Sequence, residues 1–327
     1  MHLSRKRIVA IAAAALVTAA ALAGCSSSGS DSGSGSKPAA DAGSKGTWAK
    51  SAGTLVFAAV PDKAGADSNW KPLEDYIAKQ TGDKVEFYPT ADYTALIAAA
   101  VAGKVDIASF SGLTYVQAEN KGAKQTVASA VIASAGLTDP GYYSEAIVPK
   151  GSPITTLAGF KGKKLSFVDP NSTSGFLYPL LALSKAGISV ASSGADASGN
   201  PKFSDFTAFF AGAHDKSVQA VASKQVDAGF AEDAEAEAAA KQGKVTVIDK
   251  QYVPGGPLTY SSTLPQDTQD KLKSTLSKIS LDDISNAGIT VTDDFKAGFQ
   301  AAIPEDDSYY QSIRDICTQV PAAGCAK

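Results

Sequence analysis

The stretch Leu165-Ser-Phe-Val-Asp-Pro-Asn-Ser-Thr-Ser-Gly-Phe-Leu-Tyr-Pro179 decides how the rest of this 327-residue sequence is interpreted. Its apolar start, Leu165 to Val168, is typical of a short buried strand, and Asp169-Pro-Asn171 ends that strand. An apolar run of helical length then extends from Phe176 to Ala186. Between the strand and the helix lie three consecutive hydroxyl residues: Ser172, Thr173 and Ser174. The pattern predicts a strand, a turn and a helix whose start carries hydroxyl groups.

Hydroxyl groups at a helix start can serve two purposes. The first turn of a helix has unpaired N–H donors and lies at the positive end of the helix dipole, which together favour an anion. A single Ser or Thr at this position commonly just caps the helix. Because three hydroxyls followed by Gly175 exceed what a cap requires, we predict a site for a tetrahedral anion here.

The N-terminal residues 1–24 have the composition of a secretory signal, with Arg5, Lys6 and Arg7 ahead of an apolar run from Ile8 to Ala23. The alternative, a transmembrane anchor, fits less well because the run is short and rich in alanine. Leu22-Ala-Gly-Cys25 resembles the lipobox of bacterial lipoproteins. This resemblance implies that Cys25 is lipidated and anchors the protein to the outer face of the cell membrane. Residues 25–52 are rich in Ser, Gly and Ala, as in a flexible tether.

The charge balance restricts the kinds of partner. The signal contains three of the 30 basic residues and none of the 33 acidic ones, which leaves 27 and 33 and a formal charge of −6. This charge argues against nucleic-acid binding. The only arginine after the signal is Arg314, near the C-terminus. An anion must therefore be held by neutral donors such as N–H, hydroxyl and imidazole groups.

Two cysteines remain once Cys25 is set aside. Cys317 and Cys325 lie eight residues apart near the C-terminus, in a chain that we place outside the cytoplasm. We expect them to form a disulfide that fastens the terminus.

Strands and helices alternate along the rest of the chain, which predicts an α/β fold with a parallel sheet. In such sheets ligands bind beyond the carboxyl ends of the strands. This rule places Pro61, Tyr93, the segment Phe110 to Gly112 and Tyr115 along one rim. The segment from Ser192 to Lys202, rich in Gly, Ser and Asp, is expected to be a loop.

An internal similarity indicates two related lobes. Ala100-Val-Ala-Gly-Lys-Val-Asp-Ile-Ala108 is similar to Ala220-Val-Ala-Ser-Lys-Gln-Val-Asp-Ala228, each with the pattern of a helix end followed by a strand start. Two ordinary helix–strand junctions in an alanine-rich chain are the alternative. We expect one lobe at 53–145 plus 250–327 and the other at 146–249, with crossings near Tyr143 to Lys150 and Val245 to Tyr252.

His214 is the only histidine after the signal, and it precedes a predicted helix in the second lobe. An imidazole there can donate to an oxyanion. A single histidine with no free thiol does not make a metal site, and no phosphate-binding loop or dinucleotide motif indicates a cofactor. A secreted hydrolase using Ser172 or Ser174 with His214 and Asp215 or Asp233 is an alternative. No Gly-x-Ser-x-Gly motif supports it.

Several of these segments together resemble one family, the phosphate/phosphite/phosphonate-binding lipoproteins of ABC importers. The resemblance covers about residues 54–280. It implies a type II periplasmic-binding-protein fold, with two Rossmann-like lobes joined by a two-crossing hinge, and a protein that is not an enzyme. The segments are Phe167-Val-Asp-Pro-Asn-Ser-Thr-Ser-Gly175 with Pro179, Gly212-Ala-His-Asp-x-Ser-Val-x-Ala-Val221, Lys224-Gln-Val-Asp-Ala-Gly229 and Asp92-Tyr-x-x-Leu-Ile97.

The resemblance also implies a ligand set and a partner. The ligand would be a small phosphorus oxyanion, delivered to an ABC permease in the membrane by a monomeric binding protein. A receptor that presents the ligand to a sensor kinase is an alternative. The residues implied as ligand contacts are Tyr93, Ser111, Tyr115, Ser172, Thr173, Ser174, His214 and Asp233.

One departure from the family bears on the ligand. Its aminophosphonate-binding members have an acid near the segment Ala231 to Glu235 and another in a Pro-Gly-Asp-Pro turn, both for the ligand ammonium. The corresponding turn here is Pro254-Gly-Gly-Pro257, so Gly256 replaces the second acid. We therefore expect phosphite, phosphate, methylphosphonate or another small oxyanion in preference to an amine-bearing phosphonate.

Overall fold

A computed structural model describes residues 46–325. The predicted signal, Cys25 and most of the predicted tether lie outside the described residues. The strands in this range are β1 (Thr54–Ala59), β2 (Lys84–Phe87), β3 (Ile107–Ser109), β4 (Gln125–Ile132), β5 (Gly141–Pro149), β6 (Lys164–Phe167), β7 (Ser192–Ala195), β8 (Pro201–Phe203), β9 (Thr207–Phe210), β10 (Ala228–Glu232), β11 (Val245–Pro254), β12 (Pro257–Ser261), β13 (Ile279–Ser280) and β14 (Ala301–Ile303).

The α-helices of the same range are α1 (Ala66–Thr81), α2 (Tyr93–Val101), α3 (Gly112–Asn120), α4 (Tyr178–Lys185), α5 (His214–Ala222), α6 (Asp233–Lys241), α7 (Gln266–Leu276), α8 (Leu281–Asn286), α9 (Asp293–Gly298) and α10 (Gln311–Gln319). A single π-helical turn, Thr173–Leu177, leads directly into α4. None of the described helices is both long enough and apolar enough to cross a membrane.

The strands form two large mixed sheets. One has the order β13-β14-β4-β12-β3-β1-β2, and the other has the order β11-β5-β10-β6-β9. Three neighbouring strands are parallel in each sheet: β2, β1 and β3 in one, and β9, β6 and β10 in the other. We call the seven-stranded sheet with its helices the first lobe and the five-stranded sheet with its helices the second lobe.

The predicted parallel pairing holds for the centre of each sheet, but both sheets also contain antiparallel strands because of how the chain returns. It leaves the first lobe after β4 and comes back as β12, which pairs antiparallel with both β3 and β4. In the second lobe β5 enters antiparallel to β10, and β11 leaves antiparallel to β5. The entering and leaving strands therefore add antiparallel neighbours to each parallel core.

The chain crosses between the sheets at residues 133–140 and again at Gly255–Gly256. The second crossing needs glycine, since a Cβ on Gly255 would lie 2.1 Å from the Val131 carbonyl oxygen and one on Gly256 would lie 2.2 Å from that of Phe110. Both predicted crossings instead fall within β5 and β11, which pair with each other along their length. The lobe limits at 145/146 and 249/250 stay predictions.

The opening stretch lies in the buried centre of the second lobe. Phe167, at the end of β6, is fully buried, and its ring stacks on Phe230 with centroids 5.5 Å apart and meets Phe176 edge-on, also at 5.5 Å. Burying large aromatic side chains in this way stabilises the sheet and fixes the position of the chain that follows β6.

Two peripheral features complete the fold. The segment Ser192 to Lys202, expected as a loop, contains the small hairpin β7–β8. A disulfide joins Cys317 and Cys325, and Asn120 of α3 donates to the Cys325 carbonyl oxygen at 2.8 Å. The C-terminal segment is thereby held against the first lobe.

Candidate functional site

A cavity is lined by residues from the loops of both lobes. The first lobe contributes residues that follow β1 and β3 and residues at the start of α2, while the second contributes residues that follow β6 and β10 and the start of α5. Its polar lining side chains include Asp62, Tyr93, Ser111, Ser172, Ser174, His214 and Glu232.

The hydroxyl stretch after β6 is held in place by its own backbone. The Ser172 hydroxyl accepts a hydrogen bond from the Gly175 N–H at 3.0 Å and so caps the helical segment. Gly175 packs so closely on Val168 that an added Cβ would lie 2.4 Å from that side chain. This close packing explains why glycine follows the three hydroxyl residues.

The three hydroxyls have different surroundings. Ser172 both caps the helix and lines the cavity. Ser174 is 1% exposed and lines the cavity, and its Oγ makes no hydrogen bond within residues 46–325, with the Tyr142 side chain as its polar neighbour. A buried hydroxyl without a partner is costly unless a ligand or water completes its hydrogen bonding. Ser174 is therefore the hydroxyl best placed to donate to a ligand.

Thr173 is turned away from the cavity. Its Oγ1 accepts a hydrogen bond from the backbone N–H of Leu113 in α3 at 2.8 Å, and the residue is fully buried. The Thr173 oxygen therefore joins the two lobes. Because an accepting hydroxyl keeps its own proton to donate, a ligand contact at Thr173 stays a prediction.

His214 is a neutral donor. Its Nδ1 accepts the Glu232 N–H at 2.8 Å, so the proton of the neutral ring is on Nε2. Burial lowers the pKa of His214 to about 4, against the opposing effect of the nearby Asp62 carboxylate. The backbone N–H of His214 donates to the Asp62 carbonyl oxygen at 2.8 Å, which ties the start of α5 to the loop after β1.

Tyr93 and Ser111 reach the cavity from two helix starts of the first lobe. Tyr93 is the first residue of α2, and burial raises the pKa of its hydroxyl well above the ordinary value, so the group remains a donor. Ser111 caps α3, and its Oγ lies 2.7 Å from Thr114 Oγ1.

Two other predicted ligand contacts lie outside the cavity lining. The Tyr115 hydroxyl donates to Asp307 at 2.9 Å, and its ring packs against Tyr310 with centroids 5.1 Å apart. The Asp233 carboxylate accepts hydrogen bonds from Ser134 Oγ at 2.5 Å and from the Tyr143 N–H at 3.2 Å. Contacts with the C-terminal segment and with the crossing segment therefore occupy these polar groups.

The cavity lining also includes residues that are not among the predicted ligand contacts. Asp62 and Lys63 follow β1, and Glu232 ends β10, so all three obey the rule that ligands lie at carboxyl strand ends. That rule could have identified them. Trp70 of α1 and Phe295 of α9 also line the cavity, but the approach of a C-terminal helix to it has no local sequence signal.

The acids in the cavity hold protons unusually strongly. Burial and the neighbouring Glu232 raise the pKa of Asp62 to about 7, and burial raises that of Glu232 to about 8, with Lys63 opposing both changes. No cluster of three or more His, Cys, Asp or Glu side chains suited to a metal occurs among residues 46–325.

Two lobes with these sheet orders define a type II periplasmic binding protein. The sequence matches the ABC transporter phosphonate periplasmic substrate-binding proteins over residues 57–310, and the chain belongs to that family. Proteins of this family are binding components of transporters.

Individual relatives agree with this assignment. The phosphate-import protein PhnD of Mycolicibacterium smegmatis is 33% identical over 286 residues, covering 83% of this chain and 87% of that protein. The phosphonates-binding periplasmic protein of Escherichia coli is 34% identical over 214 residues, covering 62% of this chain and 59% of that protein. The structure of PhnD1 from Prochlorococcus marinus in complex with methylphosphonate has a TM-score of 0.66 at 22% identity, covering 82% of this chain and 98% of that one.

Proposed function

We propose that this protein captures a small phosphorus oxyanion between its two lobes and delivers it to an ABC permease. The observation that carries the proposal is the convergence of Ser174, His214 and Tyr93 on one cavity, beside the start of a helical segment. Each of these groups is a neutral donor, and no arginine lines the cavity among the described residues.

Neutral donors suffice when water is excluded. A hydrogen bond to a charged group contributes roughly 1.5–3 kcal/mol net, and a low dielectric strengthens it. The helix dipole adds favourable potential at the same place. Phosphite, phosphate and methylphosphonate are the candidate ligands. The printed names of the relatives, which refer to phosphate, phosphonates and methylphosphonate, support this chemical class.

We infer that the protein is not a hydrolase. In a Ser–His–acid triad, Nδ1 carries a proton toward a carboxylate, and Nε2 accepts the serine proton. In His214 the arrangement is reversed, because Nδ1 accepts a backbone N–H and Nε2 carries the proton. The imidazole is thus prepared to donate to a ligand and not to act as a base.

We further propose an extracytoplasmic location, with Cys25 lipidated and the protein monomeric. The Cys317–Cys325 disulfide supports the location, since such bonds persist in oxidising compartments. Mass spectrometry of membrane-associated protein from the native cell should detect a diacylglyceryl group on Cys25.

A ligand panel tests the proposed function. We expect titration calorimetry to give one site per chain for at least one of phosphite, phosphate and methylphosphonate, and mass spectrometry to find the ligand unchanged afterwards. Incubation with a panel of phosphate and carboxylate esters should release no product. Turnover of an ester, or absence of binding by all three oxyanions, would contradict the proposal.

A further inference from the structure

Two carboxyl groups line the same cavity as the proposed donors. Asp62 comes from the first lobe, after β1, and Glu232 comes from the second lobe, at the end of β10. The unpartnered, 1%-exposed hydroxyl of Ser174 lines the same space and marks it as a place for a ligand. An anion bound there has an acid contributed by each lobe among its neighbours.

Among residues 46–325, Lys63 is the one lysine or arginine that lines the cavity with the two acids. Lys63 lines the cavity, but its ammonium donates to the Asp294 carbonyl oxygen at 3.1 Å. Arg314 is engaged elsewhere by Glu119 and Asp307. The ionisable groups that surround the Asp62–Glu232 pair are Lys63, Tyr93, His214, Asp233, Glu235 and Asp294.

Two ionised acids would repel a fully ionised oxyanion in a cavity with little water. If one proton lies between a carboxylate and the oxyanion, the two groups form a charge-assisted hydrogen bond and no longer repel each other. The raised pKa values of Asp62 and Glu232 agree with such proton retention near neutral pH. A phosphonate or phosphate oxygen is basic enough to share this proton, whereas a sulfonate oxygen is a very weak base.

We propose that the Asp62–Glu232 pair selects basic oxyanions by sharing a proton with the ligand, so that the cavity prefers phosphorus oxyanions to sulfonates and sulfate. This inference rests on the proposed function and deepens it. No bond is made or broken other than to the shared proton, which comes from the acid, the ligand or the solvent.

Methylphosphonate and methanesulfonate provide a matched test, because they share a shape and differ in basicity. For the wild-type protein at pH 7.5, we expect calorimetry to give at least tenfold tighter binding of methylphosphonate. The affinity should fall from pH 7.5 to pH 9, by up to tenfold per pH unit, because binding then takes up one proton that neither free partner retains.

The double variant Asp62→Asn, Glu232→Gln replaces the acids by amides, which donate without needing a proton. We expect its preference for methylphosphonate over methanesulfonate to fall below threefold and its pH dependence to flatten. Asp293→Asn removes one carboxylate from a fully exposed position on α9 and should leave both properties unchanged.

The outcomes separate this inference from the proposed function. If methylphosphonate binds no more tightly than methanesulfonate to the wild type, or if the double variant keeps the wild-type preference, proton sharing is wrong while oxyanion capture stands. Much tighter binding of 2-aminoethylphosphonate than of methylphosphonate would assign the acids to an ammonium group and also overturn the inference. If no phosphorus oxyanion binds the wild type, the proposed function itself fails.

Discussion

His214 lies at the start of α5, where burial and the Glu232 N–H keep its ring neutral with the proton on Nε2. Its folded-state pKa, about 4, is below the ordinary value of 6.5. The unfolded chain therefore binds an extra proton between about pH 6.5 and pH 4. The contribution of His214 to the free energy of unfolding is therefore fully present above this window and is lost as the pH falls through it.

Replacing His214 by glutamine should remove this pH dependence. Glutamine can accept the Glu232 N–H and still donate, but it does not titrate. Because of this histidine, the free energy of unfolding of the wild type is lower at pH 5 than at pH 7 by on the order of 2 kcal/mol. We expect urea unfolding in a phosphate-free buffer to show that His214→Gln loses less stability than the wild type between pH 7 and pH 5. Equal losses for the two proteins would mean that His214 is not held neutral.

The sequence predicted which residues line the cavity where the signal lay in neighbouring residues of the chain. Ser174 and His214 were identified from hydroxyls and an imidazole at helix starts, and both line the cavity. Thr173, Tyr115 and Asp233 have equally suitable side chains, but partners distant in sequence occupy their polar groups. Spacing along the chain carries no information about such partners.

At the scale of elements, two helix starts from opposite lobes are joined directly. Thr173 Oγ1 accepts the Leu113 N–H at 2.8 Å, and Thr114 Oγ1 donates to the Asn171 carbonyl oxygen at 3.0 Å. These hydrogen bonds exist only while the lobes are together. They stabilise the arrangement of the two lobes that the structure shows.

Thr173→Val should therefore weaken binding even though Thr173 does not line the cavity. The change leaves the Leu113 N–H buried without a partner when the lobes are together, at a cost of about 1–3 kcal/mol. We expect calorimetry to show the affinity for every bound oxyanion falling by the same factor, roughly 5- to 150-fold. Thr173→Ser keeps the acceptor and serves as the control. Equal affinities for the Val and Ser variants would contradict a role in closure.

Local sequence patterns predicted whether a segment is a helix or a strand more reliably than they predicted which strands pair with each other. The strand–helix unit around the hydroxyl stretch was predicted from its two apolar runs and from the Asp169-Pro-Asn171 segment between them. β12 was missed, and its antiparallel place beside β3 is set by the return of the chain through Gly255–Gly256. Nothing near β12 in the sequence specifies that neighbour.

At the scale of the whole molecule, a negatively charged protein surrounds the proposed anion site. The chain after its predicted signal has a formal charge of −6, so attraction over long distance does not favour the ligand. We propose that specific donors in the cavity between the two lobes hold the ligand instead.

The affinity of Ser174→Ala for methylphosphonate, determined by calorimetry beside the wild type, is the decisive measurement for the proposed site. We predict a loss of about tenfold or more, since one charge-assisted hydrogen bond disappears. The melting temperature without ligand should not fall, because the hydroxyl has no partner within residues 46–325. Ser198→Ala, on the exposed β7–β8 hairpin, is the control and should match the wild type. If Ser174→Ala binds methylphosphonate as tightly as the wild type, the Ser174 hydroxyl does not donate to the ligand and the proposed site is wrong.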